Sequence, residues 1–261
     1  MTTITALAPA AGVAFNDTRV PAVPASTADA DTASLQRLAR WGGFLFIVTF
    51  VTSIPPVLSF YVPALSDPAY VLGTGTDLGL SWGALFEMLL IVANIGTAVA
   101  FWPLLKRQNE VLALGYVTAR VVESGFIAVG IVSLLALGTL RLNAAGADAD
   151  VLVVAGHTLV AVHDWTFRLG PGFVVGIGNG LILGYLMFAS RLVPRALSVL
   201  GLVGGPLIIL SGAAVMFGMI ETMSVAQGLA TAPEFVWELG LGIWLLVKGA
   251  NPASLAALGR R

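Results

Sequence analysis

Long apolar runs separated by short polar breaks dominate the chain, and their lengths suggest the architecture. A bilayer core about 30 Å thick needs about 20 apolar residues per helix. Ala39–Phe60, Ser81–Leu105, Val111–Leu137, Pro171–Ser190, Ala196–Ile220 and the shorter Pro233–Val247 meet or approach that length. The pattern predicts an all-α fold, a polytopic helical membrane bundle. A further apolar run, Val151–Leu169, carries His157, His163, Asp164 and Arg168, so whether it spans is a separate question.

Positive charge decides between the topologies. With the amino terminus cytoplasmic and Val151–Leu169 held on the outer side, Arg19, Arg37, Arg40, Lys106, Arg107, Arg191, Arg195, Lys248, Arg260 and Arg261 lie inside. Only Arg141 and Arg168 then lie outside. If the segment crosses, the last three helices invert and the basic residues divide between the two sides. The positive-inside rule favours the first arrangement. The expectation is six spans with both termini cytoplasmic, plus a re-entrant or interfacial helix between the third and fourth spans. Seven spans is the alternative.

Composition agrees with this class. Hydrophobic residues make up 57% of the 261 and charged ones 10%, where a soluble domain carries about 25% charge. Mean hydropathy is +0.93. Residues 1–36 are rich in Ala, Thr, Pro and Asp and lack the basic start and compact apolar region of a secretory signal, so they read as a disordered cytoplasmic tail. Residues 37–249 form the helical membrane domain, and 250–261 read as a short basic cytoplasmic tail. Within the membrane domain Gly172, Gly176, Gly180 and Gly184 recur every four residues, a bare stripe that lets helix backbones approach closely. Gly201 and Gly205 repeat the pattern on the fifth span, where Pro206 should kink the helix.

Ionisable groups inside a bilayer are expensive unless paired or facing a cavity, which makes each a functional candidate. At about 1.5 Å per residue, Glu87, Glu238 and Asn179 lie about 9, 8 and 12 Å below the outer surface, and Glu123 about 12 Å below it. Four helices thus place polar groups at similar depth in the outer half, and a shared pocket explains this most simply. Glu87, Glu123 and Glu238, with His163 and Asp164, are the candidate catalytic groups. Arg120, Asn94, Asn179, Tyr116, His157, Trp165 and Arg168 are the candidate substrate-binding groups.

Arg120 and Glu123 are three apart on one helix, with Tyr116 and Ser124 on the same side, a self-neutralising pair or an orienting one. Glu87 and Glu238 have no cation in sequence reach, which suits a protonated general acid, a proton carrier or a carboxyl hydrogen-bonded between helices. Glu234, at the expected water boundary, reads as solvated. The stretch "HDWTFRLGPG", His163 to Gly172, is expected to form a polar lid or floor over the pocket, held by a turn at Gly170–Pro171–Gly172. His157, Asp164 and Arg168 share one face of that helix and His163 points elsewhere. The bland reading is an interfacial helix whose Trp165 and Arg168 anchor in headgroups.

Several chemistries drop out. The formal net charge of −1 gives no reason to expect nucleic acid. The absence of cysteine excludes disulfides, thiol nucleophiles and Cys-ligated metal centres. Two histidines six residues apart, with no His-Glu-x-x-His pattern, give no metal site, and no cofactor is implied.

Three stretches are familiar: "NIGTAVAFWPLLKRQNEVLALGYVTARVVES" (Asn94–Ser124), "HDWTFRLGPG" (His163–Gly172) and "SRLVPRALSVLGLVGGPLIILSG" (Ser190–Gly212), followed by "WELGLGIWLLVKG" (Trp237–Gly249). They resemble the bacterial integral-membrane family catalogued as domain of unknown function 4386, over about Leu38 to Gly249. The resemblance implies a small multi-pass protein of the bacterial cytoplasmic membrane and carries over no catalytic residue. Function is therefore expected from the pocket: a membrane-embedded acid/base enzyme acting on a lipophilic small molecule or lipid, with protonation-initiated isoprenoid cyclisation or isomerisation as one chemistry. The likeness to small integral-membrane terpene cyclases is one of architecture only. A proton-coupled small-molecule carrier and a structural or sensory membrane protein are the alternatives, and oligomerisation is left open.

Overall fold

The computed structural model describes residues 25–259, with side chains from residue 30 onward. The expected tail over 1–24 lies outside the described residues. Helix α1 runs Ala25–Pro55 and continues as one π-helical turn, Pro56–Phe60. Residues 25–36, expected to belong to the tail, are therefore the first turns of α1, with Leu35 buried against the bundle. A short α2 (Val62–Ser66) and a 3-10 turn (Tyr70–Leu72) lead to α3 (Leu78–Leu105) and α4 (Glu110–Leu142). Next come α5 (Ala149–Leu169), π-helical turns over Gly170–Val174 and Gly176–Leu183, and α6 (Gly184–Ser190). The chain closes with α7 (Arg195–Met216), α8 (Val225–Val247) and α9 (Pro252–Gly259). Six helical segments are long and apolar enough to cross a membrane, and no strand occurs among the described residues.

Polar residues at the breaks set the helix starts. Asp77 accepts from the Gly79 and Leu80 amides, Asn109 from Leu112, Asp148 from Asp150 and Ser224 from Gln227, each satisfying amides that a helix leaves orphaned. Arg191 ends α6 in the left-handed conformation, φ 56°, a position glycine more often fills.

Val151–Leu169 makes no crossing of its own. It is the amino-terminal part of one 42-residue helical segment, Ala149–Ser190, that forms the fourth candidate span. No turn interrupts it at Gly170–Pro171–Gly172; the backbone passes through this stretch as a π-helix. Pro171 has no N–H to give, and a wider turn absorbs the misfit without ending the helix. The segment zips antiparallel along α4. The Ser133 hydroxyl donates to the Leu159 carbonyl at 2.6 Å, Gly130 faces Thr166, Gly170 faces Phe126, and Gly178 faces Ala119.

The glycine stripe does the packing expected of it. Gly172 meets Gly212, Gly176 and Gly180 meet Gly205, and Gly184 meets the backbone at Gly201 and Leu202, so the π-helical segment and α7 touch main chain to main chain. With six such helical segments, the start of α1 and the helix α9 lie at the same end of the bundle. On that terminal face Arg107 forks onto Asp31 at 2.6 and 3.0 Å, and α9, within the expected basic tail, packs on α1. On the opposite face Tyr70 donates to Asp77 at 2.7 Å, and Arg141 donates to the Tyr70 carbonyl at 2.5 Å while stacking on its ring. Burial and the Asp77 carboxylate push the Tyr70 hydroxyl well above the usual tyrosine range.

Candidate functional site

A cavity of about 560 Å³ lies in the half of the bundle away from the chain ends, within the size range of about 300–1,000 Å³ typical of small-molecule sites. Glu87 and Asn94 from α3, Arg120 and Glu123 from α4, His163 from α5, and Glu234 and Glu238 from α8 all line it. Apolar side chains, among them Leu90, Ile127, Val175, Ile208 and Phe235, supply most of the remaining wall. The mouth lies between the end of α1 and the start of α8, where the lining residues Ile54, Leu58, Met223 and Phe235 are exposed.

Three hydrogen-bonded units hold the polar wall. In the first, Arg120 donates to Glu123 Oε2 at 2.7 Å and to the Asn94 side-chain oxygen, while the Asn94 amide donates to Glu123 Oε1 at 3.3 Å. All three residues are buried, and the Phe46 ring lies 5.8 Å from the guanidinium. In the second, Tyr61 donates to Glu87 Oε2 at 2.8 Å and sets its ring edge against His163, centroids 5.6 Å apart. In the third, the Asn179 amide donates to Glu238 Oε1 at 2.5 Å, and Trp237 Nε1 donates to the Asn179 carbonyl at 3.0 Å. The Trp237 indole fills the notch left by Gly201, so the glycines of α7 help position Asn179.

Glu234 is the exception. Only 2% exposed, it has neither carboxyl oxygen hydrogen-bonded, and one oxygen sits in the notch where Gly180 and Gly204 lack side chains. The solvated boundary position expected from the sequence is thus corrected to a buried one, because α8 begins at Val225 and Pro233 lies inside it. The signal was present in Ser224-x-x-Gln227, an amino-terminal capping pattern ahead of Pro233, and in the four-residue spacing of Glu234 and Glu238. Tyr61 was also missed, and its 26-residue separation from Glu87 leaves no trace in any local pattern.

The expected lid divides into two faces. His163, Thr166 and Phe167 face the cavity as part of its wall. His157, Asp164, Trp165 and Arg168 do not line it. Asp164 and Arg168 pair at 3.8 Å, the Arg168 guanidinium lies 5.0 Å from the Trp165 ring, and His157 is exposed. Tyr116 is fully buried below the cavity floor, its hydroxyl 3.4 Å from Thr97 Oγ1. Among the described residues no group of His, Asp and Glu side chains could hold a metal ion.

Residues 41–249 match the family described as "Domain of unknown function (DUF4386)". No curated protein and no solved structure matches the chain.

Proposed function

The chain belongs to the DUF4386 family, and we propose that it is a membrane-embedded acid/base catalyst whose cavity receives a lipophilic molecule through the gap between α1 and α8. The observation that carries this reading is the gathering of Glu87, Glu123, Glu234 and Glu238 around one apolar-walled space. Polar groups at this depth are costly, and their convergence on a cavity is what proton chemistry on an apolar substrate needs.

The residues divide by environment. Glu123, held by Arg120 and Asn94, is the ionised and oriented carboxylate. Glu234 and Glu238 stand one helical turn apart with no cation between them, and two negative charges there are unfavourable, so this pair holds the proton to be given. Glu87, with Tyr61 and His163 beside it, is placed to take a proton back. Isomerisation or cyclisation of an isoprenoid follows this scheme. A proton from the Glu234–Glu238 pair bonds to one alkene carbon, the cation rearranges, and a neighbouring C–H proton leaves to a carboxylate. Atoms and charge balance without a cofactor. By the positive-inside rule the terminal face, with Arg37, Arg40, Lys106, Arg107, Arg191, Arg195 and Lys248, is cytoplasmic, and the cavity lies in the outer half of a bacterial cytoplasmic membrane.

The test is transfer of solvent hydrogen to carbon. In membranes held in D2O, the unaltered chain is expected to place deuterium on a lipophilic molecule, and the Glu238→Gln variant is expected to fail.

A further inference from the structure

We infer that the molecule this cavity receives is a lipophilic organic cation, a protonated amine or quaternary ammonium head on an apolar body. The inference rests on the reading that the cavity takes a lipophilic guest, and it names the class of that guest.

Most hydrogen-bond donors on and just behind the wall are spent; the lining nitrogens Arg120 Nε and His163 Nδ1 are the two buried without a hydrogen-bond partner. The two terminal nitrogens of Arg120 are committed to Glu123 and Asn94, the Tyr61 hydroxyl to Glu87, and the Asn179 amide to Glu238. The hydroxyls that face the cavity turn back onto their own helices: Thr49 donates to Phe46, Ser53 to Phe50, Thr166 to His163 and Thr231 to Gln227. Acceptors remain in surplus. Both Glu234 oxygens are buried without a partner, and, with one proton held by the Glu234–Glu238 pair, three carboxylate charges face one guanidinium and one imidazole.

Burying an unpaired carboxyl is unfavourable, and the simplest partner that these walls do not supply is a donor carried in by the guest. A positive nitrogen satisfies the charge count as well as the missing contact, whereas a neutral hydroxyl satisfies only the contact. An inorganic metal ion lacks the ligand cluster it needs among the described residues. The apolar body follows from Ile54, Val57, Leu58, Leu90 and Ile127, which continue the wall from the polar end to the mouth.

Two probes of the same chain length separate charge from hydrophobicity. Purified full-length protein in a neutral detergent is titrated with dodecyltrimethylammonium below its micellar concentration and, separately, with dodecanol. The ammonium is expected to bind saturably and at least tenfold more tightly than the alcohol. In a Glu234→Gln/Glu238→Gln variant that keeps its unfolding temperature, the ammonium should lose at least tenfold while dodecanol is unchanged. Equal binding of the two probes to the unaltered protein would overturn the inference and leave the lipophilic-guest reading standing. Saturable binding of neither would overturn both. The comparison on unaltered protein needs no variant to fold.

Discussion

Arg120 is 2% exposed, with its guanidinium held by Glu123, Asn94 and the Phe46 ring, and its Nε has no partner. A charge buried this way is stabilised by its neighbours and in turn obliges them to stay. Removing one partner of a buried pair costs about 3–5 kcal/mol, while replacing both with apolar groups of similar size is often neutral. Arg120→Met is therefore expected to lower the unfolding free energy in detergent by about that amount, and Arg120→Met/Glu123→Leu to recover most of the loss. A double variant no more stable than the single would show that Glu123 is not what Arg120 serves. This pair was legible in the sequence, because three-residue spacing on one helix is a local fact. Glu234 was not, because its burial depends on where α8 begins and on two glycines from elsewhere in the chain, Gly180 and Gly204.

The helical segment Ala149–Ser190 shows how an element can be read correctly in number and differently in shape. Charge counting denied Val151–Leu169 a crossing of its own, and the six candidate spans agree with that count. The turn expected at Gly170–Pro171–Gly172 followed from breaker residues, but antiparallel packing along α4 keeps the backbone helical and diverts the misfit into π-turns. Beyond that point the glycines set the approach to α7. A Cβ on Gly180 would lie 2.8 Å from the Gly205 amide nitrogen and 2.8 Å from a Glu234 carboxyl oxygen, so Gly180→Ala is expected to reduce the yield of monodisperse protein in size-exclusion chromatography. Gly125, where an added methyl group would meet nothing within 4 Å, is the control. Gly125→Ala should hold or raise stability by up to about 1 kcal/mol, as alanine does in a helix interior. If both substitutions behave alike, close packing at the stripe is not what retains Gly180.

At the scale of the whole molecule, the hydrophobic pattern and the basic residues together carried the span count, and similar depths on separate helices pointed to a common pocket. What the pattern could not carry was rotation: which face of α5 turns inward is settled by packing, and that packing brings in His163 while leaving His157, Asp164, Trp165 and Arg168 outside. The absence of cysteine makes the topology directly testable. Ala145→Cys should react with a membrane-impermeant maleimide in intact cells and Ala253→Cys only after the membrane is opened; labelling of both from outside would contradict six crossings with a cytoplasmic terminal face. The proposed chemistry comes down to proton transfer between this cavity and a lipophilic molecule. Its decisive test is to incubate membranes containing the chain or its Glu238→Gln variant, at matched levels, in D2O with a panel of isoprenoids and native lipids, and to follow carbon-bound deuterium by mass spectrometry. A lipophilic product is expected to gain deuterium with the unaltered chain and not with the variant. The same deuterium content in both, with both proteins folded, would contradict proton transfer by this cavity.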